Sequence, residues 1–558
     1  MTQIMTQTLL EVANLRVAYP RKSQATTTWA VDDVSFTLNP GEKMGLVGES
    51  GCGKSTLGRA IMRLLPEGSQ VEGKAIFNNQ SVFELNKPQL RQFRGEVVAL
   101  VFQDPMTRLD PLMTIGDHCL ETLKAHQPQL SRQKAKKVAI ETLETVKIPA
   151  ARWGQYPHEF SGGMRQRVAI ALALLLNPKV IVADEPTTSL DVTVSAEILD
   201  ELTRLCSEKE MALLLISHDL AMIGEYCDRI AVMYEGKIVE TGEVKSILYS
   251  PQHEYTQSLL QAALHIQSDV GANSRSPLLS PESPLPNKSK PILRIKDLKQ
   301  HFTLEGNLIQ QLFYKEKQTV IKAVDNVSFD LYPGEILGLV GESGCGKSTL
   351  SRTILQLLKP TGGKVEFLGS DLTTLSPQQM RSQRRQLQMV FQDPHACLNP
   401  LMTVGDSIAD PLLIHKLATA ANVKQKVETM LEKVGLTPVA EYYKRYPQEL
   451  SGGQQQRVAI ARSLITNPKL VICDEPVSML DATVQTQVLE LMLALKAEFD
   501  LTYLFITHDL WVARFFCDRI AVMNAGQIVE IGTTEKIFTQ AEHPYTQKLL
   551  SAAPLLAS

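Results

Sequence analysis

VGESGCGKSTL at Val47–Leu57 is the strongest indication of the fold, and the chain repeats it letter for letter at Val340–Leu350. Both copies match Gly-x4-Gly-Lys-Ser, the pattern of a phosphate-binding loop. The glycines let the backbone curl so that successive N–H groups point at a phosphate, and the helix that begins there adds the positive end of its dipole. Each copy also follows a short apolar run, which is typical of a strand buried in a parallel sheet.

Shorter stretches recur around these loops in the same order. They are FQDP at Phe102 and Phe391, SGG-x3-RVAIA at Ser161 and Ser451, DEP at Asp184 and Asp474, HDL at His218 and His508, and H-x-Y-T-Q at His253 and His543. The last four pairs are each 290 residues apart. This period is too long for a solenoid repeat, so we interpret the chain as a duplicated domain.

A proline-rich segment separates the two copies. Ser274–Pro291 contains five prolines, which exclude a helix and favour an extended tether. We therefore predict one domain at 8–265, a Pro/Ser-rich linker at 266–291 and a second domain at 292–558. The second copy also carries an extra stretch, Leu304–Val320, for which the sequence suggests no role.

Composition limits the classes of function. Among 558 residues, 57 basic and 60 acidic side chains give a net charge of −3, so we expect no nucleic-acid partner held by phosphate attraction. No apolar run reaches the 18 or so residues of a membrane span, and the N-terminal MTQIMTQTLLEV lacks a signal-peptide pattern. Eight cysteines form no C-x-x-C pair, which fits a reducing compartment. We predict a cytosolic chain.

Each copy alternates short apolar runs with helical ones. In the first copy MGLVG, VIVAD and LLLIS indicate strands buried on both faces, whereas the interval from Gln103 to Ser161 is mostly helical in pattern, for example at Ser131–Val146. The predicted fold class is therefore α/β with a helical subdomain, twice over.

Polar residues follow these predicted strands. Lys54 and Lys347 suit the β and γ phosphates of a nucleotide, and the hydroxyls of Ser55 and Ser348 suit Mg²⁺. Asp184 and Asp474 each end a strand, where a carboxylate could also bind the metal. Glu185 and Glu475 come next and point the other way, where they could orient and deprotonate an attacking water. The alternative is that Asp-Glu-Pro only ends a strand with solvated charges.

Two further residue types recur at matched positions. His218 and His508 could reach the γ-phosphate, and Gln103 and Gln392 could complete the Mg²⁺ shell. A lone histidine or glutamine is more often structural than catalytic. Recurrence in both copies favours a function here.

These motifs, in this order, resemble those of the ATP-binding cassette (ABC) ATPases, and the resemblance covers the chain apart from the linker and the extra stretch. It implies two tandem P-loop NTPase domains, each a RecA-like core with a helical subdomain, that hydrolyse ATP with Mg²⁺. The family's signature motif corresponds to Phe160–Met164 and Leu450–Gln454. In this family the motif closes the nucleotide of the opposite domain, so the resemblance implies that both halves of one chain form the functional ATPase pair.

The resemblance implies two composite sites. The first phosphate loop with Asp184, Glu185 and His218 would be closed by Ser451 and Gly453. The second loop and its partners would be closed by Ser161 and Gly163. The full set of expected nucleotide contacts consists of loop, adenine-stacking and signature residues: Tyr19, Gly48, Ser50, Gly51, Cys52, Gly53, Lys54, Ser55, Thr56, Phe302, Gly341, Ser343, Gly344, Cys345, Gly346, Lys347, Ser348, Thr349, Ser161, Gly162, Gly163, Ser451, Gly452, Gly453 and Gln454.

Three positions within this set leave alternatives open. Tyr19 and Phe302 fall where the family stacks adenine, but each could be an ordinary strand-end aromatic. Cys52 and Cys345 lie beside a lysine and a helix N-terminus, which we expect to lower the pKa of their thiols, although a small filler residue is the simpler interpretation. Met164 replaces the usual glutamine and could weaken the second site, yet we expect both sites to work.

The flanking segments resemble the oligopeptide/dipeptide branch of ABC importers, in a form that fuses its two ATPase subunits. The basis is FQDPMTRLDPLMTIGD, FQDPHACLNPLMTVGD and two tails, His253–Thr256 and His543–Thr546, that match HPYT except for Glu254. Cysteines that bind an iron–sulfur cluster in the tails of some relatives are absent. The resemblance implies two transmembrane permease subunits bound by the residues after Gln103 and Gln392, a solute-binding protein, and a peripheral position on the cytoplasmic face of the inner membrane.

Other classes fit the sequence less well. Soluble tandem cassettes that act on ribosomes carry a long charged helical linker, whereas this linker is proline-rich. A DNA-repair ATPase would need zinc cysteines or coiled-coil arms. The transported solute cannot be read from these residues, because the solute does not touch this chain, and peptides, nickel complexes, glutathione-like thiols and peptide antibiotics stay open.

Overall fold

The computed structural model describes residues 8–20, 28–103, 108–187, 190, 192–268, 290–303, 320–419 and 421–552. Two compact units divide between Leu264 and His265, and we describe each by itself. Most of the predicted linker and nearly all of the extra stretch at 304–320 lie outside the described residues, so the proposed domain boundaries stay predictions.

The first unit alternates strands and helices. Its strands are β1 (Leu10–Ala18), β2 (Val31–Leu38), β3 (Lys43–Val47), β4 (Gln70–Phe77), β5 (Gln80–Ser81), β6 (Val98–Val101), β7 (Val180–Asp184), β8 (Ala212–Ser217), β9 (Arg229–Tyr234) and β10 (Lys237–Glu243). Its helices are α1 (Lys54–Ile61), α2 (Lys87–Gln92), α3 (Ile115–His126), α4 (Arg132–Thr145), α5 (Gly162–Leu174), α6 (Val192–Glu208), α7 (Leu220–Tyr226), α8 (Val244–Tyr249) and α9 (Glu254–Ser268).

The second unit repeats this order. Its strands are β11 (Leu293–Thr303), β12 (Val320–Leu331), β13 (Ile336–Val340), β14 (Gly362–Phe367), β15 (Ser370–Asp371), β16 (Leu387–Val390), β17 (Leu470–Asp474), β18 (Thr502–Thr507), β19 (Arg519–Asn524) and β20 (Gln527–Thr533). Its helices are α10 (Lys347–Ile354), α11 (Pro377–Arg384), α12 (Pro394–Cys397), α13 (Val404–Ile414), α14 (Val423–Lys433), α15 (Val439–Tyr442), α16 (Gly452–Leu464), α17 (Ala482–Phe499), α18 (Leu510–Phe516), α19 (Thr534–Thr539) and α20 (Pro544–Ala552).

A six-stranded sheet forms the centre of each unit. In the first unit its order is β10-β9-β3-β8-β7-β6, with all neighbours parallel except β10 on β9. Every residue of β7 is buried: Val180 and Val182 face one apolar cluster, and Ile181 and Ala183 face the other. This explains the continuous apolar run, because a strand covered on both faces needs no polar side.

The two faces of this sheet are covered differently. A four-stranded antiparallel sheet, β2-β1-β4-β5 in the first unit and β12-β11-β14-β15 in the second, belongs to the same apolar cluster as the phosphate-loop helix. The other face packs against α5, α6 and the helices inserted after β6. The central sheet of the second unit has the order β16-β17-β18-β13-β19-β20. This is the same topology, given from the opposite edge of the sheet.

The interval after β6 is helical, as the sequence predicted. Thr114 and Ser131 accept hydrogen bonds from backbone N–H groups in the first turns of α3 and α4, and so cap both helices. Ala135, Ala139 and Leu143 recur every four residues along α4 and form its buried face. The fold is thus two α/β cores, each with a helical subdomain, as predicted.

Sheet order brings the predicted polar residues to one edge. The phosphate loop follows β3, Asp184 ends β7 and His218 follows β8, and these three strands are parallel neighbours. Their carboxyl ends therefore meet, which is where open α/β sheets bind ligands. Within the described ranges, no helix has the length and apolar character needed to cross a membrane.

Candidate nucleotide site

Close backbone approach makes glycine necessary at two loop positions. A Cβ on Gly48 would lie 2.1 Å from the carbonyl oxygen of Met233, and one on Gly53 would lie 2.3 Å from that of Ala30. Gly53 also has φ 109°, a left-handed value, at the start of α1. Gly346 repeats this with φ 109°. The loop is therefore wrapped tightly over the N-terminus of the helix that follows.

The loop lysine lies inside this curl. Nζ of Lys54 donates to the carbonyl oxygens of Gly48 and Glu49 at 2.6 and 2.8 Å. Lys347 makes the corresponding bonds at 2.6 and 3.0 Å. Each ammonium is buried but paired only with neutral carbonyls in these contacts, so its charge remains available to a phosphate in the loop.

Serine and aspartate, the predicted Mg²⁺ ligands, are in contact in both units. Oγ of Ser55 donates to Oδ1 of Asp184 at 2.7 Å, and Ser348 donates to Asp474 at 3.1 Å. Burial raises the pKa of both aspartates, although the serine hydrogen bond acts in the opposite direction. A hydroxyl and a carboxylate converging at one point are hard oxygen ligands, so the residues fit Mg²⁺.

The glutamate that follows each of these aspartates contacts a different set of groups. Oε2 of Glu185 accepts a hydrogen bond from Nε2 of Gln103 at 2.8 Å, and its other oxygen lies 3.4 Å from Nδ1 of His218. The backbone of Glu185 is left-handed, with φ 46°. That conformation is uncommon for a residue with a Cβ, and here it turns the glutamate side chain away from the Ser55–Asp184 pair.

The second unit has the same cluster. Glu475, with φ 49°, accepts from Gln392 at 2.9 Å and lies 3.1 Å from Nδ1 of His508. The aspartate and glutamate of each DEP motif thus face different partners, as the sequence predicted. The glutamines are placed differently from the prediction in one respect, because their amide nitrogens contact the glutamate rather than the Ser–Asp pair.

The histidine and glutamate favour each other's charged form. Burial would lower the pKa of His218 and His508, but the hydrogen bond and charge of the adjacent glutamate outweigh it, so both imidazoles have a raised pKa. Burial would raise the pKa of Glu475, but the bond with His508 outweighs it and the pKa lies below its usual value. At neutral pH Glu475 is therefore a carboxylate.

The predicted signature residues begin a helix in each unit. Ser161 and Ser451 accept hydrogen bonds from the N–H groups of Met164 and Gln454, both at 3.4 Å, and cap α5 and α16. Gln454 also accepts from the N–H of Ser451 and donates to the hydroxyl of Tyr442. Met164 has no group that could do this, so the first unit lacks the reciprocal half of the cap.

The two signature glycines of the second unit have unequal surroundings, which gives a testable difference. A Cβ on Gly453 would lie 2.4 Å from Cγ1 of Val484, whereas one on Gly452 would meet nothing closer than 3.8 Å. We expect Gly453→Ala to destabilise its unit by about 1–3 kcal/mol through overpacking. In calorimetry of the full chain, Gly453→Ala should lower an unfolding midpoint by several degrees and Gly452→Ala should leave it in place. Equal shifts for both variants would contradict the packing described.

The predicted adenine-stacking residues lie at the ends of strands with exposed rings. Tyr19 follows β1 and its hydroxyl lies 3.0 Å from Oγ1 of Thr56 in the loop helix. Phe302 lies within β11. Their exposed fractions, 37% and 38%, leave a ring surface available for a base.

The expected lowering of the loop thiol pKa is wrong. Burial raises the pKa of Cys52 and Cys345, and the neighbouring lysine opposes burial without reversing it. Each side chain is only 8% exposed. The sequence showed the lysine and the helix N-terminus but not how far the thiol lies from water, so the small-filler interpretation is the better one.

One contact to the loop was not anticipated. The hydroxyl of Tyr255 accepts a hydrogen bond from the N–H of Glu49 at 3.1 Å, and Tyr545 does the same for Glu342. The tyrosines belong to the H-x-Y-T tails, which the sequence singled out only as a family resemblance. Their recurrence at matched offsets was the available signal.

Comparison with protein families agrees with this geometry. The family described as ABC transporter matches residues 31–188 and 324–478. The family described as Oligopeptide/dipeptide transporter, C-terminal region, matches 239–283 and 529–558, the segments that contain the tails.

Curated relatives match along nearly the whole chain. The Glutathione import ATP-binding protein GsiA of Escherichia coli (strain K12) is 44% identical over 568 residues, which cover 98% of this chain and 90% of that protein. Its namesake in Shigella boydii serotype 4 (strain Sb227) is 43% identical with the same coverage. A solved dimeric, post-hydrolysis structure of the ATP-binding cassette MJ0796 with ADP and Pi is 29% identical, covers 43% of this chain and 98% of that one, and has a TM-score of 0.38, which by itself supports no conclusion.

Proposed function

The chain belongs to the ABC transporter family, and from this membership we propose how its two cassettes work together. It is the ATP-binding and ATP-hydrolysing subunit of an importer. The observation that carries the mechanism is the duplicated cluster at the sheet edge, in which each phosphate loop lies beside a Ser–Asp pair and a Gln–Glu–His group.

Each cluster divides the chemistry among its residues. The loop N–H groups and Lys54 bind the β and γ phosphates. Ser55 and Asp184 would hold Mg²⁺, which would supply positive charge to the phosphates. Glu185 takes a proton from the attacking water, while Gln103 and His218 fix the direction of its carboxylate. The equivalent residues of the second unit do the same work in its site.

Each cassette completes the other's site in this proposal. Ser451 and Gly453 would cover the nucleotide of the first loop, and Ser161 and Gly163 that of the second. Helices α5 and α16 supply the physical reason, because each begins with a capped turn whose N–H groups and dipole suit an anion. Tighter binding of ATP to the closed state would supply the work that moves the permease.

The segments after Gln103 and Gln392 supply the proposed contact with two membrane permease subunits. Leu112 and Leu401 occupy matching positions there, and each is 85% exposed. One exposed leucine is ordinary on a protein surface, so we infer the contact from its recurrence at the matching position of both copies. We place the chain on the cytoplasmic face of the inner membrane, with a solute-binding protein on the other side.

The transported solute is proposed to be a short peptide of the glutathione kind. The relatives named above are glutathione import ATP-binding proteins, and the tail region matches the C-terminal region of oligopeptide and dipeptide transporters. A cell lacking this chain should lose uptake of labelled glutathione or of labelled dipeptides, and the solute whose uptake falls identifies the substrate.

Co-purification tests the importer assignment. The tagged chain, purified in mild detergent, should recover two multi-span proteins, and Leu112→Asp with Leu401→Asp should reduce their yield at least about tenfold because each buries a charge in the contact. Leu368→Asp is the control, since Leu368 is an equally apolar, 50% exposed side chain outside these segments. Recovery of ribosomes in place of membrane proteins would refute the importer role.

A further inference from the structure

The backbone of each phosphate loop is contacted by the C-terminal part of its own unit. Besides the tyrosine hydroxyl on Glu49, the N–H of Gly236, in the β9–β10 turn, donates to the carbonyl oxygen of Cys52 at 3.0 Å. The carbonyl oxygen of Met233 lies 2.1 Å from the position that a Cβ on Gly48 would take.

The tail that carries the tyrosine is itself fixed to β10. The carboxylate of Glu240 accepts hydrogen bonds from the N–H groups of Gln252 and His253 at 2.8 and 3.1 Å. Nδ1 of His253 then accepts from the N–H of Tyr255 at 3.1 Å. This sets the direction of the tyrosine, which is 9% exposed and packs on the ring of Tyr234, 4.2 Å between centroids.

The second unit repeats the arrangement with different neighbours. Glu530 accepts from Glu542 and His543 at 2.9 and 3.1 Å, and His543 accepts from the N–H of Tyr545 at 3.1 Å. Asn524 occupies the position of Tyr234. The ring packing therefore differs between the units while the hydroxyl contact to the loop stays the same, which indicates that the hydroxyl is the shared feature.

We propose that Tyr255 and Tyr545 are positioning residues of the two nucleotide sites, which hold the loop residues Glu49 and Glu342 and thereby link the C-terminal tail to nucleotide binding. The proposal rests on the loops being the ATP sites. The hydrogen bond from the loop N–H to the tyrosine hydroxyl restricts the loop to one backbone conformation. A loop that is already restricted loses less conformational entropy when it binds phosphates. Linkage makes the effect reciprocal: nucleotide must stabilise the docked tail by the same factor by which the tail strengthens nucleotide binding.

The test uses the full chain with Tyr255→Phe and Tyr545→Phe, changes that keep the rings and remove only the hydroxyls. We expect nucleotide affinity to fall about three- to tenfold, the value of one hydrogen bond. KM for ATP should rise by a similar factor with kcat unchanged at saturation, because the tyrosines do not touch the reacting atoms. Each single variant should show two classes of nucleotide site in its binding isotherm, and the class that belongs to the altered unit should have the lower affinity.

Hydrogen exchange supplies a second readout that a merely structural role would not move. In the wild type, nucleotide should slow exchange of backbone amides in α9 and α20. In the double variant this protection should disappear, while exchange without nucleotide changes little. Tyr249→Phe is the matched control, because Tyr249 lies in the same region and is 58% exposed.

Two outcomes separate this proposal from the assignment of the sites. Lys54→Ala with Lys347→Ala should abolish nucleotide binding, and retained binding would refute the sites themselves. If the lysine variant loses nucleotide binding but the tyrosine variant keeps wild-type affinity, KM and tail protection, the positioning role is refuted. The assignment of the nucleotide sites then stands. If the double variant does not fold, the single variants and His253→Ala, which removes the acceptor for the tyrosine N–H, decide the question by the same measurements.

Discussion

Replacing both Glu185 and Glu475 by glutamine should reduce ATP turnover by roughly 10²- to 10⁴-fold, the usual contribution of a general base. Glutamine has the same shape and can still accept the hydrogen bond from Gln103 or Gln392, but it cannot take a proton from water. Affinity for ATP should stay within about threefold of the wild type, since the loop and its lysine are unchanged. Steady-state phosphate release and equilibrium ATP binding measure the two effects separately.

The control must share the backbone conformation and the loss of charge. Glu210 and Asp500 fit, because both have left-handed φ values, 54° and 53°, and lie in the turns that precede β8 and β18. Glu210→Gln with Asp500→Asn should leave turnover unchanged. Wild-type turnover in the Glu185→Gln, Glu475→Gln chain would overturn the assignment of the base.

Much of this arrangement was predictable from sequence because it depends on short-range patterns. An apolar run followed by Gly-x4-Gly-Lys-Ser requires a strand, a loop and a helix, and Asp184 and Asp474 end strands by the same reasoning. Parallel neighbours bring those ends together, so Ser55 and Asp184, 129 residues apart, were expected to meet and are in contact. Duplication strengthened each inference, because each motif recurs at a matched position in the second copy.

The remaining features depend on long-range packing that no local pattern records. Tyr255 reaches Glu49 across 206 residues, and nothing near either residue predicts the pairing. The pKa of the Cys52 thiol was misjudged because Lys54, two residues along the chain, suggests a lowered value, whereas burial in the packed loop raises it. The left-handed φ of Glu185 depends on the direction in which the chain leaves β7. Residue type does not predict this φ, because glycine and asparagine, not glutamate, favour left-handed values.

The second large effect that we expect is an ATP-dependent cross-link between the two halves of the chain. If Ser451 covers the nucleotide of the first loop, a cysteine there should approach a cysteine at Ser50 only when ATP is bound. Both serines are exposed, and Ser50 follows the first glycine and glutamate of the loop. Ser50→Cys with Ser161→Cys is the matched control, because it pairs the same loop with the signature serine of its own unit.

The native cysteines must first be replaced by serine or alanine, and a protease site must be inserted between Ser274 and Pro291. After treatment with a short thiol cross-linker and cleavage, the halves separate on a denaturing gel unless a covalent bond crosses from one to the other. Glu185→Gln with Glu475→Gln in the same chain slows turnover and so prolongs the ATP-bound state.

Cross-linking between Ser50→Cys and Ser451→Cys is thus the most direct measurement of whether two cassettes share each nucleotide. The account predicts that most of the single-chain fraction stays joined after cleavage with ATP, that little does so without ATP, and that the Ser50→Cys, Ser161→Cys chain separates under both conditions. Halves that separate with ATP bound, or that stay joined equally without it, would contradict the account.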